Sequence, residues 1–248
     1  MAEIDVSENI LASIRKDFNA GVKADAGISK LVNKIGKGKG TQKDMAMLAD
    51  RFGIQASKAM KRNLILDELP NSTMYWNIAE KTIKPMLENA YKNINRYAGL
   101  QAQFADKKAR INIKILQGGD PSDRIRAVMG MACNCVTQPE LDNALTDPVI
   151  AAHRKFFDDF QKENAALRSA MGFREVVVRE YDGVGLHDGK SQCEWCIERS
   201  GTWDYDDARD HGVFERHPGC GCMITHHTER GVNVQTDWTQ NQWTMYGV

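Results

Sequence analysis

Along most of its length the chain places apolar residues at steps of three and four, the spacing that gathers them on one face of a helix. Asp44–Met60, DMAMLADRFGIQASKAM, is apolar-rich at this spacing and reads as a helix. Ile83, Leu87, Ala90, Ile94 and Tyr97 form one stripe of an amphipathic helix. Upstream, Ser72 is a capping residue for a helix in which Met74, Trp76 and Ile78 fall early. Pro85 either kinks that helix or opens a new one at its first turn. Asp120-Pro121 and Asp147-Pro148 each set a capping side chain before a proline that suits the first helical position. The second pair opens Val149–Met171, whose stripe runs Ile150, His153, Phe157, Phe160, Leu167 and Met171. Gly172 is placed to end it in a left-handed conformation. Cys133 and Cys135 follow the helical apolar run AVMGMA and read as buried thiols.

The period changes after Gly172. Glu175–Glu180, EVVVRE, is a β-branched run and predicts a strand. Gly183, Gly185 and Gly189 then mark turns, and no helical period is sustained. The pattern therefore predicts an α+β chain: a helical body over residues 1–172 and a small mixed α/β module over residues 173–248. A module of about 75 residues has little core of its own, and a bound metal is one common substitute.

Composition sharpens this picture at two points. The 33 basic and 33 acidic residues cancel, but unevenly. Residues 1–110 hold 19 Lys and Arg against 12 Asp and Glu, and the remainder holds 14 against 21. A bipolar chain has two surfaces suited to different partners. The opening stretch, MAEIDVSENILASIRKDF, has neither the basic head nor the unbroken apolar core of a signal peptide, and no run approaches the ~18 apolar residues of a membrane span. The expectation is synthesis in a reducing cytosol, where clustered cysteines read as metal ligands rather than disulfides. GKGKGT at Gly36–Thr41 lacks the spacing and the preceding strand of a phosphate-binding loop and reads as a flexible basic loop.

Four of the six cysteines sit close together, in SQCEWCIERSG and FERHPGCGCMITHH. The spacing is Cys193-x2-Cys196, twenty residues, then His217-x2-Cys220-x-Cys222. A C-x2-C turn brings two thiolates to one ion, and a second short pair closes a tetrahedron of the kind zinc prefers. Five donors serve four positions: Cys193, Cys196 and His217, with Cys222 or Cys220 as the fourth. Four protein ligands leave no position for water, so the predicted zinc, one per chain, is structural and not catalytic. Neither the H-x-E…P-C-x-x-C pattern of zinc deaminases nor H-E-x-x-H occurs. His226 and His227 beside Glu229 read either as a nuclease-like pair or as exposed histidines flanking a strand. Tyr205, Asp206, Asp207 and Asp210 form an acidic patch, a solvated loop by default and a hard-cation site otherwise.

A helical N-terminal region, a strand, C-x2-C, a loop and H-P-x-C-x-C together resemble the phage minor head, or head morphogenesis, proteins: the Mu F-like and SPP1-type minor capsid proteins. The matching stretch is EVVVREYDGVG, CEWC and RHPGCGC, roughly Glu175–Met223. Gly221 stands where that pattern usually has arginine, so no role of that arginine carries over. The resemblance implies a low-copy structural protein of the virion, without enzymatic activity, at the head interior or portal vertex. It would act with portal or capsid proteins in head assembly or DNA ejection. The basic N-terminal part suits sequence-independent contact with DNA phosphates, and the acidic module suits a protein partner. The rival expectations are a zinc-scaffolded nuclease, with His226 and His227 as candidates, and a toxin-type effector.

Overall fold

The computed structural model of the chain describes residues 6–181, 193–217 and 219–229. Gly183, Gly185 and Gly189, read above as turn residues, lie outside them, as do Pro218 and residues 230–248. The N-terminal body is helical: α1 (Val6–Ala24), α2 (Ala26–Gly36), α3 (Gln42–Asn63), α4 (Trp76–Ala109), α5 (Ser122–Cys133), α6 (Gln138–Ala144) and α7 (Asp147–Ala170). Local chemistry sets several boundaries. Asp25 caps α2 by accepting from the backbone N–H groups of Gly27 and Ile28. The basic loop Gly36–Thr41 ends at a capping box, in which Thr41 and Asp44 satisfy each other's backbone donors at the start of α3. Thr137 and Glu140 do the same for α6.

Three helix boundaries differ from the sequence expectation. Ser72 caps nothing. It lies in a 3-10 turn, Pro70–Ser72, where Asn71 and Ser72 both take positive φ, and α4 begins four residues later without a side-chain cap. Of the two alternatives for Pro85, a new helix start is excluded: the 34-residue α4 runs through it. Ile83, Met86 and Leu87 are buried around it, and their packing offsets the proline penalty of about 3 kcal/mol. Asp147 is the first residue of α7 and not its cap, whereas Asp120 does receive the N–H of Ser122 ahead of α5.

The stripe read for α7 is buried at His153, Phe157 and Phe160, but Met171 is exposed. Lys155 and Asp158, on the other side of the helix, are buried as well. α7 is enclosed because the body covers one flank and the C-terminal module the other. It approaches α3 closely at Gly53, where a Cβ would lie 2.9 Å from the Ile150 Cα. α7 ends as predicted, with Gly172 at φ 85°.

The predicted strand, β1 (Glu175–Glu180), is the centre of a three-stranded antiparallel sheet. β2 (Gly201–Asp204) and β3 (Met223–Thr228) flank it. Between β1 and β2 lies the short helix α8 (Glu194–Glu198), and between β2 and β3 lies α9 (Tyr205–Asp210). One face of β1 carries Glu175, Val177 and Arg179, all three buried, as strand alternation requires. Thr228, His226 and Ile224 of β3 stand beside them in register. The fold is thus the expected α+β arrangement of a mostly helical body and a small sheet with a buried cysteine–histidine cluster. Among the described residues no helix is long and apolar enough to cross a membrane.

Candidate metal centre

Cys193 is the residue ahead of α8, and Cys196 lies one turn into it. A separation of three residues at a helix start puts both sulfurs on one face. The Cys193 N–H donates to the Tyr181 hydroxyl at 3.1 Å, fixing the turn to the end of β1. The second pair enters from the loop before β3, where the Cys220 N–H closes a turn on the His217 carbonyl at 3.2 Å. His217 Nε2 lies 3.2 Å from Cys193 Sγ and 3.0 Å from Cys196 Sγ. Cys196 Sγ lies 3.7 Å from Cys220 Sγ.

The five donors form two overlapping triads, Cys193–Cys196–His217 and Cys196–Cys220–Cys222, with Cys196 common to both. Within each triad the donor atoms lie within 4.8 Å of one another, and all four cysteines are 2 % exposed. For a tetrahedral ion with Zn–S near 2.3 Å, neighbouring sulfurs stand about 3.8 Å apart, which the Cys196–Cys220 pair matches. No disulfide joins any of these cysteines. Soft sulfur and imidazole nitrogen, buried together, are a donor set that can hold a metal ion.

Buried arginines surround the sulfurs. Arg179 is 1 % exposed and has no carboxylate partner among the described residues. Its Nη1 donates to the carbonyls of Val213 and Glu215, and its Nη2 to Cys220 Sγ at 3.3 Å and Cys196 Sγ at 3.7 Å. Arg216 Nη1 reaches Cys220 Sγ at 3.7 Å. The Arg216 charge is opposed by burial, but the buried Asp158 carboxylate of α7 outweighs that and raises its pKa. Hydrogen bonding from Cys222, and then the Arg216 and Arg179 charges, bring the Cys220 thiol down to about 5 against the effect of burial. Burial pushes Cys196 up to about 11. The hydrogen bond to Cys220, together with burial, raises Cys222. Trp195 meets the His217 ring edge-on at 5.3 Å, and the Arg179 and Arg199 guanidiniums lie over it at 4.9 and 4.1 Å. α7 holds the ligand loop from outside. Arg154 Nη1 donates to the Cys220 carbonyl at 2.7 Å, and Lys155 Nζ to the Phe214 carbonyl at 3.2 Å.

All five sequence-predicted ligands are therefore brought together, and the geometry leaves the choice between Cys220 and Cys222 open. The arginines were not anticipated. Arg179 had a signal, since its place in EVVVRE is in phase with Val177, which makes it inward-facing. Cys133 and Cys135, expected as buried thiols, are half-buried against the body core and far from the cluster in sequence. Burial raises both thiols. His226 and His227 do not form a pair: strand alternation sends His226 inward to Glu175, at 2.7 Å, and leaves His227 exposed. In the acidic patch Asp206 and Asp210 pair with Arg209, and Tyr205 is buried in the small core of the module. Comparison with protein-family models, curated proteins and solved structures finds no match to this chain.

Proposed function

We propose that the cluster binds one structural zinc per chain, and that the protein is a phage or prophage minor head component in which this ion staples the C-terminal module. The observation that carries the metal reading is Arg179. A guanidinium buried without a carboxylate costs several kcal/mol unless another anion faces it, and among the described residues the groups able to carry that charge beside Arg179 are the Cys196 and Cys220 sulfurs. Three thiolates and a neutral imidazole around a divalent ion leave one net negative charge, which Arg179 balances. Two thiolates and two histidines would leave none. Four protein donors also fill the tetrahedron, so the reading includes no catalytic step at the ion.

The virion reading rests on the cysteine and histidine spacing together with the architecture around it: a helical body, a strand, the C-x2-C turn, and the second ligand pair entering β3. A basic helical part and a metal-stapled module fit a protein that lies between packaged DNA and a portal or capsid partner. Elemental analysis of purified protein tests the metal. About one zinc per chain, lost in Cys196→Ser, is expected. No metal in protein prepared without chelator removes the staple. Gradient-purified particles from the source of the chain test the location. The protein is expected to sediment with DNA-filled heads at low copy, and its presence only in the unassembled fraction rejects the virion reading.

A further inference from the structure

A second site of chemistry lies away from the cysteines. A cleft opens between α4, α7, β3 and the basic loop ahead of α3. Its inner lobe, about 230 Å³, lies among Gln101, Asp106, Gln161, Arg168 and His226. Its outer lobe, about 510 Å³, has Lys39, Phe104 and Lys108 at the lip. The two lobes share Gln42, Gln101, Ala105, His226 and His227.

Inside this cleft the charged acceptors are already engaged. Asp106 accepts two bonds from Arg168, at 2.6 and 2.7 Å. Glu175, beneath the floor, accepts from His226 Nδ1 at 2.7 Å and from the Thr228 hydroxyl. The Gln42 Oε1 takes the His226 N–H at 2.7 Å, and Glu180 takes Lys43 at 2.5 Å. The groups left over are donors. Gln161 is 1 % exposed, and its Nε2 has no hydrogen-bond partner. Lys39 and Lys108 are exposed and reach no carboxylate among the described residues. An ionised carboxylate only accepts, so Glu175 fixes the proton on His226 Nδ1 and turns Nε2 away from itself. That nitrogen is left as an acceptor and takes no part in holding an anion.

A buried N–H without an acceptor is costly and rare, and one at the floor of an accessible cleft points to an acceptor supplied from outside. We propose that the cleft binds a phosphate group, held by Gln161 inside and by Lys39 and Lys108 at the lip. Three donors, two of them cationic, match the several acceptor oxygens of a phosphate better than the two of a carboxylate. The exposed ring of Phe104 beside Lys108 offers a stacking face to a base, so the phosphate can belong to a nucleotide or to a nucleic-acid strand. The site contains no ligand of the metal cluster and stands or falls independently of it.

The test is binding by the full-length protein, with its metal content verified, to three probes at low salt: inorganic phosphate, adenosine monophosphate and a labelled single-stranded oligonucleotide. Wild-type protein is expected to bind at least one. Lys39→Glu with Lys108→Glu weakens that binding by about tenfold or more. The charge-matched pair Lys58→Glu with Lys92→Glu, on exposed positions elsewhere in the body, leaves it unchanged. Gln161→Leu weakens binding while its melting temperature does not fall, because the substitution removes an unsatisfied buried amide. Binding of inorganic phosphate identifies an isolated phosphate site, and binding of the oligonucleotide alone identifies a strand; both support the proposal. No binding by any probe overturns it. So does an equal loss in the two charge-reversed pairs, which would reflect diffuse charge, or a Gln161→Leu variant that melts earlier and binds as wild type.

Discussion

Arg179 and His153 are both nearly inaccessible, and they differ in the partners that burial gives them. Arg179 faces the Cys196 and Cys220 sulfurs, which are thiolates when they hold a metal ion. Arg179→Met keeps the stem and removes the charge. It is expected to weaken metal binding by about tenfold to a hundredfold while making the metal-free protein no less stable. A chelator competition, read beside melting of the apo form, checks both halves. Unchanged affinity would mean that Arg179 does not balance the thiolates. His153 has no anion in contact with it, and the pull of the Asp50 carboxylate is weaker than the effect of burial. Its Nδ1 bonds the Val149 carbonyl at 2.8 Å, its Nε2 is unpartnered, and burial brings its pKa down to about 4. In the unfolded chain the same imidazole titrates near 6.5. Between those values the unfolded state binds the extra proton, so stability falls as pH drops from about 6.5 toward 4, by up to about 3 kcal/mol. Denaturant titrations across that range should show the slope, and His153→Leu should flatten it.

The helices and the central strand were legible because periodicity is a local signal. Leu48, Phe52 and Met60 in α3, and Ile83, Leu87 and Ile94 in α4, are buried as their spacing implies. What could not be read was decided by neighbours. Ser72 fails as a cap because Asn71 and Ser72 spend their conformations on a tight turn. Pro85 survives inside α4 because the core surrounds it. α7 carries buried charges on the flank that its stripe marks as polar, and nothing local to it announces the module packed there. The cysteine spacing foretold the ligands, whereas the arginines come from β1 and from the loop, brought in by the fold. Helix packing gives its own prediction. Gly53→Ala forces a Cβ against the Ile150 backbone and is expected to cost about 1–3 kcal/mol, with a lower denaturant midpoint and unchanged slope. A smaller loss would mean that α3 and α7 can separate there at little cost.

Across the whole molecule, the cluster and the body meet at α7. Asp158 pairs with Arg216 of the ligand loop while 1 % exposed, and Arg168 of the same helix pairs with Asp106. Releasing the module therefore strips Asp158, a charge embedded in the body, of its partner, while the Arg168–Asp106 pair stays within the body. Chelation is expected to lower the melting temperature by about 10 °C or more. Proteolysis of the chelated protein should begin beyond Gly172, with the helical body persisting in a weakened form. If the body melts with the metal in one step, α7 is its weakest part and not a hinge between two stabilities. β1 adds a constraint of another kind. Its inward positions pair Glu175 with the phosphate cleft and Arg179 with the sulfurs, about 13 Å apart along one strand. Substitution can erode either end alone. A one-residue insertion between them turns one end out of phase with the other, and one just upstream shifts both against their partners on β3. Among descendants of this chain the two sites can be lost separately by point change, but no length change within these six residues can leave both in place, so the strand behaves as a linkage group written in geometry.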